Sequence, residues 1–119
     1  MKECKTFWAK IYIGLKPGYD DCKFDVQVQN KDNVVEECQS YCDDIGLGLT
    51  YKENKFIYTN GREYGLEIGL IAYPRFPKSD DEIRILALDL TKKLMKICKQ
   101  NRVSVMFPDK TIMLEKEDL

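Results

Sequence analysis

Apolar and polar residues alternate from Phe7 to Leu15, with Phe7, Ala9, Ile11, Ile13 and Leu15 on one side. A period of two sends successive side chains to opposite faces of an extended chain, so residues 7–15 read as a half-buried strand. Lys16-Pro17-Gly18-Tyr19 then turns the chain. Residues 20–31 alternate only at Phe24, Val26 and Val28, as a short extended piece or an ordered loop. Beyond them the period lengthens. Val34, Cys38, Tyr41, Cys42 and Ile45 recur at spacings of three and four, the buried stripe of a helix. Asp32 or Asn33 caps its start, and Gly46 suits the left-handed residue past its end.

The strand period returns over residues 47–52 and 55–59, with Glu53-Asn54 as the turn between them. Asn60-Gly61 is the strongest turn signal, because both residues accept the positive φ of a type I′ hairpin. Residues 62–73 form the next strand, in which Gly65 and Gly69 mark a bulge or the close approach of another backbone. Pro74-Arg75-Phe76-Pro77 ends it. Ser79 and Glu82 then have capping-box spacing, opening a helix to about residue 100 whose stripe is Ile83, Leu86, Ala87, Leu90, Leu94 and Ile97. Asn101 ends the helix. Residues 103–107 and 111–115 make a last hairpin around Pro108-Asp109-Lys110, and residues 116–119 fray. The order is strand, helix, three strands, helix, two strands. It predicts one two-layer α+β domain over residues 1–119, with two amphipathic helices on a mainly antiparallel sheet of about five to six strands.

A chain of 119 residues suits one domain, and one this small often gains stability by self-association. Its net charge of −1 offers no general attraction to polyanions, which argues against duplex nucleic acid as a partner. The opening MKECKTFW lacks an apolar signal core, and no run approaches the ~20 apolar residues of a membrane span. The expectation is a soluble protein of the cytoplasm. Five cysteines leave an odd one under full pairing and read as free thiols, several of them packed in the core.

Histidine is absent. That removes the usual proton shuttle and every Ser-His or Cys-His nucleophile pair. Cys38 and Cys42 share a helix face, but a closed zinc site needs four nitrogen or sulfur ligands, so no metal is expected. No P-loop or dinucleotide fingerprint occurs. Asp80, Asp81 and Glu82 occupy the second helix's first turn, where acid is stabilising and would repel a phosphate. Asp20-Asp21 can contribute to a magnesium site.

The chemistry-bearing set is Arg75, Phe76 and Arg102. A guanidinium fork suits phosphate, and an aromatic can stack on a base. Arg75 and Phe76 enter the second helix while Arg102 leaves it, so a pocket using all three calls for a second copy of the chain. Trp8, Tyr12, Tyr58, Tyr64 and Tyr73 lie on strands, and aromatics on an outer sheet face point to a homo-oligomer.

The segments KIYIGLKPGY (10–19), KFIYTNGREYG (55–65), IAYPRFP (71–77) and NRVSVMFPDKTIML (101–114) resemble the Thoeris anti-defence sponge family of small phage proteins. That resemblance implies an oligomer that sequesters cyclic ADP-ribose isomers, in some members also cyclic oligonucleotides, through aromatics and arginines and without cleaving them. Phe76 would then stack on the base, with Arg75 and Arg102 on phosphate or ribose. Arg62 would add to the pyrophosphate contacts, and a tyrosine such as Tyr19 to those on adenine. The expectation is a non-enzymatic, cofactor-free binder, phage or prophage encoded and acting in a bacterial host. Two alternatives stay open: a protein–protein module or inhibitor of a host enzyme that adds a sheet edge, and a magnesium-dependent phosphodiesterase using Asp20 or Asp21.

Overall fold

The computed structural model describes residues 1–15 and 27–119, and of residues 27–30 the helical backbone alone. In chain order run β1 (Trp8–Gly14), α1 (Gln27–Ile45), β2 (Leu49–Tyr58), β3 (Gly61–Ile71), α2 (Asp80–Cys98), β4 (Arg102–Met106) and β5 (Thr111–Glu115). The strands form one five-stranded sheet in the order β2-β3-β1-β4-β5, antiparallel at every pairing. With two helices against it, the fold is the expected two-layer α+β class.

β1 lies at the centre, and its alternation sets the two layers. Ala9, Ile11 and Ile13 are fully buried, while Trp8, Lys10 and Tyr12 are half-buried on the opposite face. Residues directly across a ladder share a face. Ile11 therefore stands beside Ile68 and Val105 beneath the helices, and Tyr12 beside Glu67 and Ser104 on the face away from them. α2 contributes Ile83, Ala87, Leu90, Leu94 and Cys98 to the core, and α1 contributes Val34, Cys38 and Tyr41. The Ser79–Glu82 capping box forms: Glu82 N donates to Ser79 Oγ at 3.1 Å, and Ser79 N donates to Glu82 Oε1 at 3.0 Å.

Four expectations change. Residues 47–52 and 55–59 are not two strands: β2 runs unbroken through Glu53-Asn54. Both halves pair with the same strand, β3, from Leu49↔Leu70 to Tyr58↔Gly61, and a turn at residue 53 would break that ladder. The hairpin turn sits one residue earlier than expected, on Thr59-Asn60, and the left-handed residue is Asn60 (φ 64°) while Gly61 keeps a negative φ. Gly65 and Gly69 mark no bulge, since the β3 register runs evenly through both, and at Gly65 the other alternative holds, with the Ile13 carbonyl oxygen 2.6 Å from where a Cβ would stand. Finally α1 begins at Gln27, ahead of Asp32 and Asn33, because neither glycine nor proline interrupts the chain there. The turn expected at residues 16–19, with Tyr19, Asp20, Asp21 and Cys22, lies outside the described residues. No described helix is long and apolar enough to cross a membrane.

Candidate functional site

Gly14 of β1 and Gly65 of β3 face each other across the ladder on the side away from the helices. Lacking side chains of their own, both are covered by those of their neighbours. A hollow of about 380 Å³ opens beside them, with Gly14 in its lining, within the size range of small-molecule sites. Tyr12 and Phe56 wall one side, their rings edge to face with centroids 6.2 Å apart. The Phe56 ring lies in the space a side chain at Gly65 would take. Glu63 and Gln100 close in over Gly14: a Cβ there would stand 2.9 Å from Glu63 Oε2 and 3.1 Å from Gln100 Oε1. Gln100 is aimed by its own amide, whose Nε2 donates to the Cys98 carbonyl at 3.2 Å at the end of α2. The negative end of the helix dipole thus lies beside the hollow. Ile57, Tyr58, Arg102 and Ser104 complete the lining.

The Tyr12 hydroxyl donates to Glu67, its cross-strand partner. Burial first, then that hydrogen bond and the carboxylate's charge, hold the phenol above its ordinary pKa. At neutral pH it is a donor and not a phenolate. The lining therefore offers π-faces, the Glu63 carboxylate, the Arg102 guanidinium and, behind Tyr12, a second carboxylate in Glu67. Such a mixture suits a ligand with a flat ring at one end and charges of both signs at the other.

Of the residues expected at a binding site, Arg102 lies in this hollow. It also borders a smaller one, of about 240 Å³, with Asn101, Glu115, Lys116 and Glu117. Arg75 and Phe76 sit elsewhere. Phe76 is half-buried, its ring edge-on to Tyr73 at 5.8 Å, and the Arg75 guanidinium lies over it at 5.1 Å. That stack precedes α2 and Arg102 follows it, roughly 28 Å apart along the 19-residue helix. Arg62 is exposed on β3 opposite Ile57, facing the other way from Glu63. Tyr19 lies outside the described residues. Sequence reasoning did not single out Phe56, Glu63 or Gln100. The alternation of β1 and β3 carries a signal for them once the register is known, because it places the Gly14–Gly65 pair on the uncovered face.

No family model and no curated protein matches the chain. Solved structures do. Phage SAM lyase in its apo state superposes with a TM-score of 0.66 at 18% identity, over 93% of this chain and 90% of that one. Phage SAM lyase in complex with S-methyl-5′-thioadenosine gives 0.60 at 16%, over 98% and 96%. A de novo designed protein, Foldit4, gives 0.52 at 12%, over 89% and 99%. At these identities the likeness establishes a shared fold. It reaches phage proteins, as the sequence resemblance did, but a lyase and not a Thoeris sponge. The expectation of a chain that is not an enzyme is therefore corrected: nearly its whole length adopts an architecture on which phage SAM lyase carries out catalysis.

Proposed function

We propose that the uncovered face binds a nucleoside with a cationic sulfur-linked tail, of the S-adenosylmethionine class, and cleaves it by lyase chemistry. The hollow at Gly14, walled by Tyr12, Phe56 and Glu63, carries this reading. The fold shared with phage SAM lyase, one structure of which holds S-methyl-5′-thioadenosine, supports it.

The chemistry asks little of an enzyme without histidine. In a sulfonium the leaving group departs as a neutral thioether and takes the electron pair of the broken carbon–sulfur bond. No general acid has to protonate it, and no water, oxidant or metal is consumed. The substrate's own carboxylate oxygen can supply the new bond to carbon, closing a lactone as the thioether leaves. The protein's part is to fold the tail into the attacking geometry and keep water out, which is catalysis by proximity. Phe56 and Tyr58 would stack on the adenine. Glu63 and the Gln100 carbonyl would receive the cationic part, and Arg102 would orient a carboxylate or the ribose. Positive charge disappears in the transition state, so Glu63 serves binding and placement more than rate.

Purified protein incubated with S-adenosylmethionine is expected to release S-methyl-5′-thioadenosine, read by liquid chromatography and mass spectrometry. Recovery of intact S-adenosylmethionine at protein concentrations that bind it would overturn the lyase reading. The adenosine moiety is shared with the cyclic ADP-ribose isomers expected from the sequence resemblance, so those isomers belong in the same titration. Uptake of one of them in preference to S-adenosylmethionine would reassign the ligand. A role in phage anti-defence is part of this proposal; self-association is proposed separately.

A further inference from the structure

β2 is an edge strand, paired on one side by β3 and, among the described residues, by nothing on the other. It is ten residues long, mostly exposed and free of proline. Long open edges invite a further strand, and proteins usually block them with lysine, proline or a bulge. β2 has neither proline nor bulge, and its lysines, Lys52 and Lys55, match partners on the same strand in reverse. We propose that two copies of the chain pair through β2, antiparallel, about a two-fold axis at Asn54.

The register follows from the side chains. An axis perpendicular to the sheet preserves its faces, so rungs must join residues of the same face. Centring on Glu53 is excluded, because it would set Glu53 against its own copy. Centring on Asn54 sets amide against amide. Its neighbours then become Glu53 opposite the partner's Lys55, twice by symmetry, and Tyr51 opposite the partner's Ile57, also twice. Ile57 is 79% exposed and Tyr51 39%, so both have surface to bury. Each Lys52 lies opposite the partner's Phe56, where an ammonium can sit on a ring face. Within one chain Glu53 reaches Lys31 of α1 at 3.1 Å and Lys55 lies 5.3 Å from the Tyr64 ring of β3. Both charged side chains thus turn inward, and pairing would exchange these contacts for the two across the dimer. The result is one ten-stranded sheet with all four helices on one face.

The pairing rests on the chemistry of the strand and stands apart from the lyase reading. Its consequence for the hollow rests on that reading: Phe56 and Tyr58 line the hollow, so the partner's Lys52 and Thr50 would stand at its rim.

Sedimentation in the absence of ligand tests the pairing. The unaltered chain is expected to dimerise. Glu53→Lys and Lys55→Glu should each raise the dissociation constant by about tenfold, since each replaces two attractive rungs with repulsive ones. The double variant restores both rungs and should dimerise like the parent. Asn54→Cys should form a disulfide-linked dimer under mild oxidation that the parent chain, with its own cysteines, does not form. A monomer, an assembly indifferent to the single reversals, a double variant as weak as the singles, or the lack of a cross-link at residue 54 would each overturn the proposal. Because no substrate is present, failure of the lyase assay leaves this result untouched.

Discussion

The Phe56 ring lies across the bare backbone of Gly65, although Gly65 pairs with Asn54 and not with Phe56. The aromatic leans diagonally over the ladder and reaches the edge of the Tyr12 ring. One wall of the hollow is therefore held in place by an absent side chain.

Gly65→Ala is expected to destabilise the fold. The new Cβ would collide with the Phe56 ring, which can move, and would stand 2.6 Å from the Ile13 carbonyl oxygen, which belongs to the central strand and cannot. Overpacking of this kind costs about 1–3 kcal/mol. Urea denaturation should show a lower midpoint with an unchanged slope. A midpoint equal to the parent's would mean that the strand yields more easily than its place in the sheet suggests.

A second clamp joins α2 to the last hairpin. The Arg84 guanidinium forks Asp109 at 2.9 and 2.7 Å and lies over the Phe7 and Phe107 rings at 4.7 and 5.2 Å. The hydrogen bond from Arg84 holds Asp109 below the ordinary carboxylate pKa. A depressed folded-state pKa means that this stabilisation is present above the unfolded value, near 4, and is lost as pH falls through the folded one. Melting temperatures of the parent and Asp109→Asn should therefore differ at pH 7 and converge on acidification. Arg84→Lys should also melt lower, because an ammonium cannot make the fork. Curves that stay parallel down to strongly acidic pH would remove the ion pair from the account.

How much of this was readable beforehand depended on whether the cause was local. β1 was legible because a central strand shows its core face directly as alternation, and α2 because Ser79 and Glu82 sit within one turn of each other. Glu53-Asn54 misled because turn propensity is a local preference, and the ladder from Leu49 to Tyr58 with β3 overrode it. The site was mostly illegible. Gly14 and Gly65 become one feature only after the chain has paired β1 with β3, and Gln100 reaches Gly14 only because α2 ends there. Arg102 was singled out because an arginine just past a helix is conspicuous in itself, and it borders the candidate hollow. Arg75 and Phe76 were equally conspicuous, and they lie away from the hollow, Phe76 against Tyr73 and Arg75 over Phe76.

The thiols give a separate test. Burial pushes Cys38 and Cys98 up to about 12, with nearby acidic and thiol groups adding to the effect at Cys38. Raised folded-state values make these protonated thiols stabilising below about 9, a contribution lost as pH climbs toward 12. Native-state alkylation near pH 8 should label the half-exposed Cys4 well before either buried residue, with mass spectrometry reading the order. Early labelling of Cys98 would mean that the end of α2 opens readily, and the Gln100 anchor with it.

Gly14→Ala separates the hollow from the fold. Its Cβ would meet Glu63 Oε2 at 2.9 Å and Gln100 Oε1 at 3.1 Å, both ends of flexible side chains that can move aside. The sheet should therefore fold with nearly its original stability, while the methyl group fills the floor of the hollow and displaces the carboxylate and amide over it. Affinity for S-adenosylmethionine is expected to fall by at least about tenfold, near 1.4 kcal/mol, with release of S-methyl-5′-thioadenosine reduced in step. Calorimetric titration beside a denaturation curve reads both quantities on one preparation. Arg75→Ala should leave affinity unchanged, because its guanidinium stacks on Phe76, away from the hollow. If Gly14→Ala bound and turned over like the parent while Arg75→Ala lost binding, the site would lie at the turn into α2, and the uncovered face would be free for another use.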